Sequence, residues 1–141
     1  KSVASLPKDI ALDAFAYTSS LNGEAICVLN VRSGKILGIN CYYAPEGAEN
    51  ESALSSFILQ YYNQNISPPK EILVSHISAD FEHISTILSK NINIHSPQKG
   101  IKKKILDMAT ANATEFLFKK SSLEERKRTN IKIALENLKT K

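Results

Sequence analysis

EAICVLNVRSGKILGINCYY, residues 24–43, holds two runs of β-favouring residues separated by Ser33-Gly34, a dipeptide suited to a two-residue hairpin loop. Residues 24–32 and 35–43 therefore read as an antiparallel pair. Immediately before it, IALDAFAY (10–17) is a mostly apolar run ended by the turn-rich TSSLNG, the pattern of a strand buried on both faces. The chain thus opens on three successive strands. With a regular two-residue loop, Cys27 falls opposite Asn40 and Cys41 opposite Ile26. That register sends the two sulfurs to opposite faces of the sheet and excludes a disulfide between them, whereas a longer loop would change the register.

Working outward, the hydrophobic period changes. After the loop APEGAEN (44–50), Leu54, Phe57, Ile58, Tyr61 and Tyr62 recur at helical spacing, with Asn50 as the cap and Pro68-Pro69 beyond the end. EILVSHI (71–77) is a short strand. Phe81, Ile84, Ile87 and Leu88 mark a second helix capped by Ser78 or Asp80, and INIH (92–95) is one more strand. A third helix carries Ile101, Ile105, Met108, Ala109, Asn112 and Phe116 on one face, where Asn112 needs a partner in a neighbouring strand or loop. Ser121-Ser122 followed by Glu124-Glu125 has the capping-box pattern, predicting a separate fourth helix with a thin apolar stripe of Ile131, Ala134, Leu135 and Leu138. The order is βββαβαβα plus a terminal helix. It predicts an α/β fold, a mixed sheet with helices on its faces, in the order of ribonuclease H-like folds. Residues 1–120 form the expected domain and 121–141 a charged connector helix.

A chain of 141 residues with 43% hydrophobic content suits one core. It begins Lys1-Ser2-Val3 rather than with methionine, so it reads as a piece of a longer protein or a processed product. No apolar run is long enough for a membrane span, so a soluble protein without a membrane partner is expected. Two cysteines without a CxxC suit a reducing cytoplasm and no structural zinc, and His76, His83 and His95 have no ligand spacing with them. Gly23, Gly34, Gly38, Gly47 and Gly100 fit turns or close approaches better than a phosphate cradle. Charge is uneven: residues 1–98 hold 6 Lys/Arg against 9 Asp/Glu, whereas residues 99–141 hold 12 against 5. The basic excess lies in the C-terminal third.

An active ribonuclease H-like nuclease holds two metals roughly 3.5–4 Å apart with converging carboxylates. Candidates are Asp13 on the first strand, Glu51 on the first helix, Asp80 after the fourth strand, and Asp107 or Glu115 on the third helix. Asp80 suits a helix cap better. Asp13, alone in an apolar strand, must find a hydrogen-bond partner or lie near the strand's edge. The set reads as structural, with no catalytic residue and no metal ligand assigned.

Three phrases, NVRSGKILGINCYY (30–43), ESALSSFILQYYNQNISPPKEILV (51–74) and HSPQKGIKKKILDMATANATEFL (95–117), resemble the central region of the UvrC family of bacterial nucleotide excision repair. The likeness rests on Arg32, Gly34 and Lys35, then Phe57, Tyr61, Tyr62, Pro69, Glu71, Ile72 and Leu73, then Pro97, Gln98, Gly100, Asn112 and Ala113. It implies a second, degenerate ribonuclease H-like domain that serves as a non-catalytic scaffold for dual incision of damaged DNA. In the family's catalytic module the first-strand acid stands six residues before a glycine, and here that place before Gly23 is held by Tyr17. By the same resemblance, divalent metal belongs to nuclease modules outside this chain. The implied partners are the flanking UvrC domains, a UvrB-type helicase subunit through the parent protein, and damaged double-stranded DNA.

Pro97 and Gly100 break the chain before a helix start bearing Lys99, Lys102, Lys103 and Lys104, where an anion would relieve the opposition between lysines and the helix dipole. These lysines, with Arg32 and Lys35, are the expected DNA contacts. Two other readings compete: an active two-metal nuclease using Asp13, Glu51 and Asp107, and a purely protein-binding module.

Overall fold

A computed structural model describes residues 6–44, 50–64, 66–89 and 91–139. Five strands, β1 (Leu12–Ser20), β2 (Gly23–Arg32), β3 (Lys35–Tyr43), β4 (Glu71–Val74) and β5 (Asn93–His95), form one sheet in the order β3-β2-β1-β4-β5. Helices α1 (Asn50–Tyr62) and α2 (Phe81–Leu88) cover one face, and α3 (Gly100–Lys139) crosses the other. β1 pairs antiparallel with β2 and parallel with β4, and β4 pairs parallel with β5. The mixed sheet and the βββαβαβα order match the expectation. Among the described residues no helix is long and apolar enough to cross a membrane.

β1 explains why its sequence is apolar throughout. Leu12, Ala14 and Ala16 pack towards α3, while Phe15 and Tyr17 pack towards α1 and α2, and every residue from Leu12 to Tyr17 is buried. The strand outlasts its apolar run because Thr18, Ser19 and Ser20 continue the ladder opposite Ala25, Glu24 and Gly23. Ser33 (φ 53°) and Gly34 (φ 74°) are both left-handed, as a tight turn between right-twisted strands requires. Gly34 is also pinned from outside: a Cβ there would lie 2.4 Å from the Pro7 carbonyl oxygen.

The hairpin departs from the regular register. Val31 faces Ile36 but Asn30 faces Gly38, so Leu37 is an extra residue on β3, 68% exposed. Beyond this bulge Cys27 faces Cys41 directly, with both thiols on the α3 side of the sheet. The expected separation of the sulfurs is thus overturned. Both thiols are free, and burial, with a contribution from Cys41, pushes the Cys27 thiol up.

Two further expectations fail at helix ends. Asp80 stands at the N-cap position of α2, yet its side chain makes no capping bond and instead accepts from the hydroxyls of Ser55 (2.8 Å) and Ser78. The predicted break at Ser121 does not occur: backbone helix runs unbroken from Gly100 to Lys139. Capping-box residues are also ordinary helix formers once a preceding turn propagates through them. Gly47, and the side chains of Asn50, Glu51, Ser121, Glu124, Glu125 and Leu138, lie outside the described residues.

Candidate functional site

Asp13 is wholly buried at 0% exposure and faces α1. Its Oδ1 accepts from Asn30 Nδ2 (2.8 Å) and Arg32 Nη1 (2.8 Å), and its Oδ2 accepts from the Tyr62 hydroxyl (2.5 Å), with Arg32 Nη2 at 3.4 Å. Register makes this possible, since Asn30 is the cross-strand partner of Asp13 and Arg32 lies two residues further on the same face. Arg32 also donates to the carbonyls of Leu12 and Val31. A planar guanidinium meeting a carboxylate supplies the charge and the donors that a buried acid requires. The bond to Asp13 raises the Arg32 pKa, and burial, then Asp13, pushes the Tyr62 hydroxyl far up. Arg32, expected to face DNA, therefore directs its guanidinium into the fold.

Among the described residues, the candidate carboxylates of Asp80, Asp107 and Glu115 are not brought to Asp13. Asp107 and Glu115 lie exposed on α3, across the sheet, beside Lys103 (2.7 Å) and Lys119 (3.5 Å). Asp80 is engaged by Ser55 and Ser78, whose bonds hold its carboxyl below the usual range. Among the described residues no group of three or more His, Cys, Asp or Glu could hold a metal ion. Where β1 approaches the end of β4, the side chains are Tyr17, Ser75 and His76: the Tyr17 amide donates to Ser75 Oγ (2.8 Å), and Tyr17 and His76 meet edge to face at 5.8 Å. A phenol, a hydroxyl and an imidazole are a poor donor set for magnesium, which prefers carboxylate oxygen.

The lysines converge better than the carboxylates. Arg32↔Lys35, Leu12↔Val31, Leu12↔Glu71 and Glu71↔Asn93 are in register, so the β2–β3 turn and the starts of β1, β4 and β5 share one end of the sheet. Lys102 on the first turn of α3 reaches the same end, donating to Glu71 Oε2 (2.7 Å), which also meets His95 Nε2 at 2.7 Å. Burial works to raise the Glu71 carboxyl, but its bonds from Lys102 and His95 outweigh that and hold it low. Lys103 pairs with Asp107 on its own helix, whereas Lys35, Lys99 and Lys104 are exposed without an acidic partner among the described residues. Strand spacing of about 4.8 Å sets Lys35 on β3 roughly 15–20 Å from the helix start. Two exposed lysines missed in the sequence join them: Lys8, in the segment crossing the Gly34 turn, and Lys70, just before β4. Neither belongs to a charge run, so only topology reveals them. Asn112, expected to bond outward, donates to the Met108 carbonyl of its own helix (2.9 Å).

Residues 11–120 match the family model described as the UvrC ribonuclease H-like domain. The chain belongs to this family. It is 34% identical over 138 residues to UvrABC system protein C of Clostridioides difficile, covering 93% of this chain and 23% of that protein. The same-named protein of Syntrophomonas wolfei is 32% identical over 122 residues, 82% of this chain and 20% of the relative. That of Chlamydia trachomatis is 42% identical over 93 residues, 64% and 15% of the two chains. The chain thus spans about a fifth of the length of such relatives.

Proposed function

We propose that this domain is a non-catalytic platform within a UvrC-type excision endonuclease, and that it contacts the DNA backbone through the basic end of its sheet. The observation that carries the first half is the Asp13 centre: its carboxylate is occupied by Arg32, Asn30 and Tyr62 instead of being open to a metal. Tyr17, Ser75 and His76 at the end of β1 and β4 support the same reading. A platform needs rigid reach, and α3 beyond Leu117 runs on for about 33 Å. That half exposes Ile131 and Leu135 one turn apart on one face, an apolar strip for flanking protein modules. Incision chemistry, divalent metal and the helicase-like subunit then belong to the rest of the parent protein and its system.

The second half rests on Lys8, Lys35, Lys70, Lys99 and Lys104 at one sheet end, unpaired among the described residues. Phosphate contacts of this kind are sequence-independent and release counterions. Lys35→Glu, Lys99→Glu and Lys104→Glu together should weaken duplex binding alike on unrelated sequences. The slope of log K against log salt should flatten by about 0.9 for each phosphate that is no longer neutralised. Fluorescence anisotropy across salt concentrations measures both. Unchanged affinity and slope would remove the DNA half, and metal-dependent cleavage abolished by Asp13→Asn would remove the platform half.

A further inference from the structure

α1 leaves part of the sheet uncovered. On β3 the side facing α1 carries Gly38, Asn40 and Tyr42, so between Tyr42 and the helix there is little to fill the space. A cavity of about 380 Å³ opens there, lined by Tyr42, Phe57 and Tyr61 and by Gln60 and Gln64. The rings form a continuous row: Tyr42 to Phe57 is 5.2 Å and Phe57 to Tyr61 is 6.0 Å between centroids, the latter pair near parallel at 26°. Tyr42 is 40% exposed, well above what an interior aromatic shows. At its far end the row reaches Tyr61, whose hydroxyl accepts from Asn30, beside Arg32 and the exposed Lys35 of the basic sheet end.

We infer that this groove takes unstacked bases of single-stranded DNA, their phosphates running along the β3 edge to Lys35. The chemistry selects that ligand on three grounds. Aromatic side chains in a row offer stacking to any base, a sequence-tolerant interaction worth about 1–3 kcal/mol per base. Side-chain amides supply both donors and acceptors, matching the edges of bases freed from pairing. The cation at the groove's end fits a polyanion and disfavours a basic or purely apolar partner. A duplex keeps its bases stacked and cannot present them to a cavity of this depth. The inference deepens the DNA-contact reading above and rests on it.

The test uses the 141-residue chain with a fluorescein-labelled oligothymidylate and a duplex of equal length. Because the chain has no tryptophan, its tyrosine emission is directly observable. Oligothymidylate should quench that emission on binding, and Tyr42→Ala should weaken oligothymidylate binding about tenfold, within the range expected when one stacking ring is removed. Tyr42→Phe should restore it, and duplex affinity should change less than twofold in both variants. Tyr42→Ala removes a half-exposed side chain, and its circular dichroism should match the parent. Duplex binding that persists while Tyr42→Ala leaves oligothymidylate affinity and quenching unchanged would overturn the groove alone. No binding of either DNA at low salt would overturn both the groove and the basic end.

Discussion

Two ion-paired centres lie on adjacent strands, β1 and β4, at the same end of the sheet, and they differ in what surrounds them. Asp13 is fully enclosed, and three side chains converge on its two oxygens. Glu71 is partly open to solvent, and one of its oxygens takes both Lys102 and His95. An enclosed carboxylate has no water to fall back on, so each partner is required; a partly exposed one can exchange a side chain for solvent. The first centre therefore belongs to the folding of the domain, and the second leaves its lysine neighbours free to respond to an anion. The same residue types have opposite consequences because of burial.

The largest expected effect comes from emptying the enclosed centre. Asp13→Ala leaves the Arg32 guanidinium, the Asn30 amide and the Tyr62 hydroxyl without their shared acceptor, and should cost about 3–5 kcal/mol in urea unfolding. A cost below about 1 kcal/mol would mean that the cluster re-solvates, and the contrast between the centres would collapse. A smaller cut sharpens it: Tyr62→Phe removes one donor from Oδ2 while Arg32 remains, and should cost about 1–3 kcal/mol by the same measurement.

Least affected should be Glu71→Gln, at no more than about 1 kcal/mol near neutral pH, since the pair is partly screened. Its signature is pH dependence. The Glu71 carboxyl is held below its ordinary value of 4.5, so its stabilisation is present above that value and is lost as pH falls through the lower folded one. The difference between wild type and Glu71→Gln should therefore shrink as the pH is lowered below 4.5. A difference that stays constant on acidification would show that the ion pair contributes nothing measurable.

The two halves of α3 show how far local pattern reaches. From Ile101 to Leu117 the apolar period is strong, and Ile105, Leu106, Ala109, Ala113 and Leu117 are buried as that period demands. Beyond Leu117 the helix leaves the sheet, with Lys120 placed over the Tyr43 ring at 4.4 Å, and the weak stripe at Ile131 and Leu135 stays exposed. The serine and glutamate pair at residues 121–125 has the letters of a helix start, but a helix already under way needs no second nucleus. In the candidate site, Asp13 stands out in sequence as the one acid of an apolar strand, whereas its partners are spread over β2 and α1. Phe57 and Tyr61 were readable as helix periodicity and Tyr42 as part of a strand, but not the row they form, because the uncovered face of β3 depends on where α1 lies.

By itself the sequence determined the number, type and order of the elements up to the start of α3, the tight turn at Ser33-Gly34 and the depth of β1, because turn chemistry and hydrophobic period act over a few neighbouring residues. Only the tertiary structure decided the bulge at Leu37 that aligns Cys27 with Cys41, the turning of Arg32 onto Asp13, and the gathering of Lys8, Lys35, Lys70, Lys99 and Lys104 at one sheet end. Those outcomes depend on which strands become neighbours and which charges are denied water, and neither is encoded in residues adjacent along the chain.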